Sequence, residues 1–275
     1  MKTTKRRLRA MTTHRRMPPT RYPRNLEEAY RKRIVKLVYS WRGSAVEYFN
    51  RYMRSYFTGG TQLIGDAQVP PTTTQTQEMI ENLHMLGYTI KQAVSDATIR
   101  MMAQQFVRSI DNFSYNNVSM QIKIAGLNPI RNDPNLTRIF NAKVAENVEL
   151  INYMRDRYAD SITGIVSRAI SNGDGTGAIT KAIVNQTGMS VRHAALVAND
   201  QTGSTIAKFN QARHQAAGAK YYVWQSMEDN RVRPKHQMLD GTRQKYGDPN
   251  GGDDGQTPGE PINCRCVATP VFSFY

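Results

Sequence analysis

Apolar residues recur three and four positions apart through most of the first 217 residues, and this spacing constrains the fold more than any other feature. An α-helix places such residues on one face, so each stretch with this spacing predicts a helix that buries one side. The first stretch carries the apolar series Leu26, Tyr30, Ile34, Leu37, Trp41, Ala45, Phe49, Tyr52 and Tyr56. The sequence therefore predicts a mainly α protein with an elongated helical body over residues 25–217.

The predicted helices are separated by short stretches that carry turn or cap signals. Asn25 is expected to cap the first helix and Gly59-Gly60 to end it, within a Pro-rich loop and candidate hinge at 58–76. The other predicted helices are 77–113, 135–158, 160–172 capped by Asp160, 177–187, and 190–217 capped by Ser190. The alternating stretch 118–127 predicts a short strand, and the run NGDGTG predicts a turn between helices.

The helical spacing stops near Gly218, where glycine and proline become frequent. Turn-forming residues after this point are Pro234, Gly241, Gly247, Pro249, Gly251, Gly252, Gly255, Pro258, Gly259 and Pro261. The run Tyr221–Ser226 has the aromatic and β-branched composition of a strand. Residues 218–275 are therefore predicted to form a small α+β module, rich in hairpins and loops. Because such a module has little core of its own, it needs polar ties, a metal or docking onto the helices.

Positive charge is concentrated at the start of the chain. The net charge is +15, and no acidic residue precedes Glu27. A segment this polar cannot bury enough apolar surface to fold alone, so residues 1–24 are predicted to form a disordered basic arm. Candidate contacts from this arm to double-stranded DNA, made without sequence preference, are Lys2, Lys5, Arg6, Arg7, Arg9, Arg15 and Arg16. A solvated tail without a partner and an Arg-rich transit peptide are the alternatives.

The sequence disfavours membrane proteins and disulfide-rich secreted domains. No apolar run approaches the roughly 20 residues of a membrane-spanning helix. The N-terminus lacks the apolar segment of a secretory signal. Two cysteines give no disulfide framework, which fits synthesis in a reducing cytosol.

The two cysteines lie one residue apart, and a histidine precedes them in a glycine-rich segment. Residues i and i+2 of an extended strand project to the same side, so the sulfurs of Cys264 and Cys266 can face one ion. His236 is the candidate third ligand. Structural zinc usually has four ligands, mostly Cys and His. Candidates for the fourth ligand are water, Asp229, Asp240 and Asp248.

Three interpretations compete with zinc for these residues. A disulfide between Cys264 and Cys266 is strained, because the preferred Cα separation fits a one-residue gap poorly. A catalytic Cys–His pair needs a base within hydrogen-bond reach and an orienting group. The favoured interpretation is a structural staple in which the cysteines pack as small apolar side chains. In it His236, Asp229 and Arg231 tie the turns together, with or without bound zinc.

A set of spaced residues in the last half of the chain forms a recognisable signature. It starts near Gly126 and includes the helical segments AKVAENVELINYMRDRYADSITGIVSRAISNG and AALVANDQTGSTIAKFNQARHQAAG. Its positions in the module are Trp224, Asp229, Arg231, Val232, Arg233, His236, Leu239, Asp240, Gly241, Pro261, Cys264, Arg265, Cys266 and Pro270. In this order and spacing the chain resembles the phage minor head morphogenesis proteins, the Mu F-like family.

This resemblance implies a structural protein of the virion that catalyses no reaction. The partners it implies are the portal or major capsid protein and packaged double-stranded DNA, with several copies in each virion. The implied location is the phage head near the portal, after assembly in the host cytoplasm. The run Ala198–Thr202 departs from the Ala-Arg-Thr-Glu-like stretch of the family, so a role of that arginine and glutamate is not implied here. The alternatives are a nucleic-acid-binding protein with a zinc-stapled module and a Cys/His-dependent hydrolase.

Overall fold

The computed structural model describes residues 17–58, 73–129 and 133–272, and most of them are helical. The helices are α1 (Arg24–Tyr48), α2 (Ser55–Thr58), α3 (Thr73–Gln92), α4 (Asp96–Ile124), α5 (Pro134–Asn172), α6 (Thr176–Ala216) and α7 (Pro234–Leu239). The strands are β1 (Tyr221–Gln225), β2 (Arg243–Lys245) and β3 (Val267–Val271). The predicted mainly α fold with a small C-terminal sheet is therefore confirmed.

Helices α1, α3, α4, α5 and α6 pack around one apolar core, here called the helical body. Trp41 of α1 is fully buried, and its ring lies 6.1 Å from that of Tyr158 in α5. Tyr30 of α1 stacks on Phe106 of α4 with ring centroids 3.7 Å apart. The buried Tyr30 hydroxyl donates a hydrogen bond to Asn147 of α5 at 2.7 Å. The apolar face predicted from the helical spacing is thus the face that α1 turns to the core.

The end of the first helix departs from the predicted spacing. A π-helical turn at Phe49–Met53 follows α1 and changes the rotation per residue. As a result Tyr52, predicted on the buried face, is 48% exposed, whereas Met53 is buried.

Two predicted boundaries in this half of the chain are wrong. Helix α1 begins at Arg24, directly after Pro23, so Asn25 does not cap it. The predicted loop 58–76 is too long, because Thr58 ends α2 and α3 already begins at Thr73. The predicted helix end at Gly59-Gly60 lies outside the described residues.

The predictions for the next two helices are also corrected. The predicted helix 77–113 is interrupted before α4, where the Ser95 side chain accepts a hydrogen bond from the Thr98 N–H and caps the new helix. The strand predicted at 118–127 is wrong, because α4 continues to Ile124. Val118 and Ile122 are one helical turn apart and are buried together with residues of the C-terminal module. This packing against the module favours a helix at 118–124 over the strand that the weak apolar alternation predicted.

Helices α5 and α6 are each longer than the spacing suggested. Asp160 and Ser190, predicted as caps, lie inside them, because buried residues continue at helical spacing across both positions. The turn predicted at NGDGTG is confirmed between the two helices. Gly173 there adopts a φ of 70°, a left-handed conformation that glycine reaches without strain.

The segment just before α1 contacts the C-terminal strand. The Thr20 hydroxyl donates to the Ala268 carbonyl of β3 at 2.8 Å and accepts from the Gln121 amide of α4 at 2.9 Å. Residues 17–24, predicted as part of the disordered arm, are therefore ordered against β3 and α4 or belong to α1. Residues 1–16 lie outside the described part of the chain.

The C-terminal module, residues 218–272, is built on a three-stranded antiparallel sheet in the order β2-β1-β3. The central strand β1 places Tyr222 and Trp224 on its buried face, whereas its other residues are half-buried. Among the residues that the structure describes, no helix combines the length and apolarity that crossing a membrane requires.

Candidate metal centre

The module brings together three side chains that are far apart in the sequence. His236 lies on α7, and Cys264 and Cys266 lie in the loop that leads into β3. One nitrogen of His236 and the two sulfurs all lie within 4.8 Å of one another, and all three residues are buried. The predicted set of metal ligands is thus assembled in space.

The orientation of the His236 ring is fixed from both sides. Its Nδ1 lies 3.6 Å from Cys264 Sγ and 3.7 Å from Cys266 Sγ. Its Nε2 lies 3.0 Å from Asp253 Oδ2, and the other oxygen of that carboxylate, Oδ1, lies 2.6 Å from Lys235 Nζ. A carboxylate can only accept a hydrogen bond, so Nε2 carries a proton, and in the neutral ring the Nδ1 lone pair faces the sulfurs.

The charge state of Asp253 supports this arrangement. Burial alone would raise its pKa, but hydrogen bonds from Lys235 and His236 outweigh burial, and the net shift of the pKa is downward. Asp253 is therefore ionised at neutral pH. An ionised acceptor holds the Nε2–H tautomer of His236 more strongly than a neutral one would.

The loop that carries the cysteines is fixed by polar contacts on both sides. The buried Arg265 side chain, between the two cysteines, donates to Asp229 at 2.8 Å. Asn263 has a φ of 57°, and its backbone N–H donates to the Asp200 carboxylate of α6 at 2.8 Å. The Arg233 guanidinium donates to the carbonyl of Ile262. These contacts set the positions of both sulfurs from outside the cluster.

The backbone of helix α6 packs closely against the backbone of the same loop. A Cβ atom on Gly203 would lie 2.2 Å from the Cys264 carbonyl oxygen, far inside van der Waals contact. The contact between α6 and the loops of the module is here called the seam. On its module side, Gly259 has a φ of 95°, and a Cβ there would lie 2.7 Å from the Gly203 carbonyl oxygen. Lys208 of α6 forms an ion pair with Glu260 beside it. Only glycine at position 203 lets the loop approach the helix this closely.

Three residues of the predicted motif, Trp224, Asp240 and Gly241, hold α7 next to β1. The Trp224 ring is fully buried and lies 5.0 Å from the His236 ring. Asp240 accepts a hydrogen bond from the Ser226 N–H at 2.6 Å. The Gly241 N–H donates to the Trp224 carbonyl at 2.8 Å, with a φ of 72° that a side chain would strain. This turn keeps α7 against β1.

The two thiols differ in their proton affinity. A hydrogen bond from the Cys266 thiol, together with the backbone N–H groups of Cys266 and Gly259, lowers the pKa of Cys264 despite its burial. The same pairing, followed by burial, raises the pKa of Cys266. The pairing therefore favours ionisation of Cys264 over ionisation of Cys266.

The space beside the sulfurs is small. Cys264, Cys266 and His236 line a cavity of about 20 Å³, together with Met227 and Arg231. One water needs roughly 10–15 Å³ measured in this way, so the cavity has room for a single water. The cysteines are 4% and 3% exposed. The two sulfurs are therefore enclosed, with little free space beside them.

Not every predicted contact is present. The sequence grouped His236 with Asp229 and Arg231, but His236 pairs with Asp253, whereas Asp229 binds Arg265 and the Arg231 N–H. Among the described residues no carboxylate joins the three ligand atoms within 4.8 Å. The predicted fourth-ligand candidates Asp229, Asp240 and Asp248 instead accept backbone hydrogen bonds. Both cysteines are free thiols, as expected from their one-residue spacing.

Several contributors were not predicted from the sequence. Asp253 lies 17 positions after His236. Gly203 is one of several glycines in α6, and the sequence does not distinguish it from the others. The two adjacent carboxylates in GGDDG are candidate hydrogen-bond acceptors for a histidine, but the sequence does not indicate which histidine contacts them. The predicted DNA contacts Lys2, Lys5, Arg6, Arg7, Arg9, Arg15 and Arg16 all lie outside the described residues.

Comparison with known proteins gives a family for the region that contains this site. Residues 160–269 match the family described as phage Mu protein F like protein, which confirms the predicted resemblance over that range. A protein of Haemophilus influenzae, described as an uncharacterized protein, is 35% identical over 143 residues, or 52% of this chain. Those residues are 32% of the relative, so the chain spans about a third of its length. No solved structure matches the chain.

Proposed function

We propose that this chain is a minor structural protein of a tailed phage head and acts in head morphogenesis. The observation that carries this proposal is the family match over residues 160–269, which runs from within α5 through α6, β1, α7 and β2 and ends within β3. The matched range therefore contains the candidate metal centre and the seam with α6. We infer from the same match that its partners are capsid-related, with the portal or major capsid protein in contact and several copies in each virion.

The surface of the helical body suits a protein that works by contact with other subunits. Large apolar side chains are exposed at intervals along α3, α4, α5 and α6 and are available to a partner. They include Met85, Tyr88, Met101, Met120, Tyr153, Met189 and Leu196. Methionines adapt their shape to different neighbours, which suits a protein held in a crowded assembly.

The distribution of charge supports a role in DNA contact for the start of the chain. Residues 218–272 contain seven Lys or Arg and seven Asp or Glu, so the module has no net charge to attract phosphate. The predicted arm instead contains no acid, and in our proposal it neutralises phosphates of packaged double-stranded DNA. This balance favours the arm over the module as the DNA-binding element.

Particle composition tests the proposed function. In purified heads of the phage that encodes the chain, quantitative mass spectrometry should find it at a few to a few tens of copies, measured against portal and major capsid subunits. Disrupting the gene should reduce the yield of DNA-filled heads, and the wild-type chain supplied in trans should restore it. Absence from particles, together with normal head yield without the gene, would contradict the proposal.

The role of the arm is tested separately. The full chain should bind duplex DNA with an affinity that falls steeply with salt, because each neutralised phosphate releases counterions. Removing residues 1–16 should reduce both the affinity and the slope of log K against log salt. A matched control replaces Lys220, Lys235, Arg243 and Lys245 of the module with glutamine and should bind like the full chain. Equal binding with and without residues 1–16 would contradict the arm's role.

A further inference from the structure

We propose that His236, Cys264 and Cys266 bind one Zn²⁺ through Nδ1 and the two sulfurs, with a water in the adjacent cavity as fourth ligand. The ion would tie α7 to the loop before β3 and would catalyse no reaction. This inference is independent of the role in the phage head, because it rests on the geometry of the module alone.

The distances between the ligand atoms fit zinc. A tetrahedral Zn²⁺ with bonds of about 2.3 Å to sulfur and about 2.0–2.1 Å to nitrogen separates those two ligands by about 3.6 Å. The observed separations from His236 Nδ1 are 3.6 Å to Cys264 Sγ and 3.7 Å to Cys266 Sγ. One lone pair on Nδ1 accepts one thiol proton at most, so hydrogen bonding explains only one of these two equal approaches. A metal ion at the centre explains both.

The surroundings of His236 match those of a metal ligand. Ligating histidines usually donate their other N–H to a carboxylate, which fixes the tautomer and orients the ring. Asp253 accepts from His236 Nε2 at 3.0 Å and is itself held by Lys235. This contact leaves Nδ1 free to bind a metal and directs it at both sulfurs.

Charge and available space also favour zinc. Binding of Zn²⁺ releases the thiol protons to solvent. Two thiolates and one Zn²⁺ sum to zero, so the loaded site has no net charge in a buried place where an uncompensated charge would be costly. The indole N–H of the buried Trp224 interacts with the Cys266 sulfur but reaches no partner at full hydrogen-bond geometry among the described residues. A metal-bound thiolate is a stronger acceptor for that N–H than a thiol. The cavity of about 20 Å³ holds one water, which completes four-coordination without a fourth protein ligand.

The first test is the metal content of the full chain, purified under reducing conditions from zinc-supplemented culture. Elemental analysis should find one zinc per chain, and X-ray absorption at the zinc edge should find two sulfur and two nitrogen or oxygen neighbours. Cobalt substitution should give thiolate charge-transfer bands and the absorption of a tetrahedral ion. The variants Cys264→Ser and His236→Asn should lose the zinc, whereas His193→Asn on the exposed side of α6 should keep it.

A second variant keeps the proposal testable where loss of a ligand unfolds the module. Asp253→Asn removes the charged acceptor of His236 without removing a ligand, and zinc affinity should fall about 10–100-fold in competition with a chelator. Asp254→Asn is the matched control, since Asp254 is exposed and also pairs with Lys235 but does not contact His236. Wild-type protein that takes up no zinc or cobalt, or zinc retained unchanged in Cys264→Ser, would overturn the proposal.

Discussion

The helical body and the C-terminal module are stabilised in different ways. The core of the body draws on five helices and includes large side chains such as Trp41 and Tyr158, packed in one continuous cluster. The apolar cluster of the module is much smaller, and two of its members are the cysteines. Buried polar residues, among them His236 and Arg265, take the place of apolar bulk in the module.

This difference shows how a glycine-rich segment can hold one conformation without a large core. In the body many weak contacts each contribute a little to the free energy of unfolding, so a substitution at any one exposed position changes it little. In the module a few specific contacts hold each loop, and several of them reach across to α6. The module is therefore expected to depend on the body more than the body depends on the module.

The largest expected effect comes from the core of the body. Trp41→Ala removes a fully buried ring and should cost about 3–5 kcal/mol of unfolding free energy. Because the chain has two tryptophans, the variant leaves Trp224 as the sole fluorescent reporter of the module, while far-UV circular dichroism reports the helices. Both signals should shift together to lower urea.

Tyr39→Ala is the control for this substitution, since Tyr39 lies on the same helix and is 51% exposed. Its urea midpoint should stay close to that of the wild type. If the Trp224 signal kept its wild-type midpoint while the helices of Trp41→Ala unfolded early, the expected dependence of the module on the body would be wrong.

The next effect is expected at the seam between the two regions. Gly203→Ala places a Cβ 2.2 Å from the Cys264 carbonyl oxygen, so the loop must move away from α6. Overpacking of this kind costs about 1–3 kcal/mol. Measured in a Trp41→Phe background, where Trp224 is the remaining tryptophan, the fluorescence transition should therefore shift to lower urea more than the helical signal does.

Gly188→Ala in the same helix is the matched control, because a Cβ there meets only the Arg192 side chain at 3.7 Å. Replacing a half-buried helical glycine that has room for a Cβ by alanine should stabilise by roughly 0.5–1 kcal/mol. Equal effects of the two substitutions on the Trp224 signal would show that the close approach at Gly203 is not what docks the module.

The third effect depends on pH and also lies at the seam. His214 of α6 is fully buried with its Nδ1 2.7 Å from the Tyr246 hydroxyl, and burial, with Arg213 nearby, lowers its pKa to about 3. The unfolded chain binds a proton at the ordinary value of about 6.5. Stability should therefore fall as the pH drops from 6.5 towards 3, by up to about 1.4 kcal/mol per pH unit.

His214→Phe removes this titration. Its loss of stability between pH 7 and pH 5, measured by urea unfolding, should be about 2 kcal/mol smaller than that of the wild type. His193→Gln, on the exposed side of the same helix, should keep the wild-type dependence. If His214→Phe had the same pH dependence as the wild type, another group would be responsible for the acid sensitivity.

The body was easier to predict from the sequence than the module, for a physical reason. Helical spacing is a local signal, so the buried faces of α1 and α5 could be predicted from their own residues. The errors arose where distant segments decide the outcome. Val118 and Ile122 are helical because they pack against the module, and α5 and α6 continue through Asp160 and Ser190 because the core does.

The candidate metal centre was predicted only in part. The ligand types His236, Cys264 and Cys266 were identifiable because few other residue types bind soft metals. The acceptor Asp253 and the supporting Gly203 were not, because their roles depend on a loop path and a close backbone approach. The spacing of residues along the sequence predicts neither the loop path nor the close backbone approach.

The continuity of α5 has a consequence for how relatives of this chain can differ. The family match begins at residue 160, inside a helix that runs from Pro134 to Asn172 without a break. A change of length near that position leaves one helix, so the number of inserted residues decides how the faces of its two halves align. One inserted residue would rotate the upstream half by about 100° against the downstream half, whereas seven would restore the original faces almost fully. Insertions in this helix should therefore be tolerated best at lengths near seven residues.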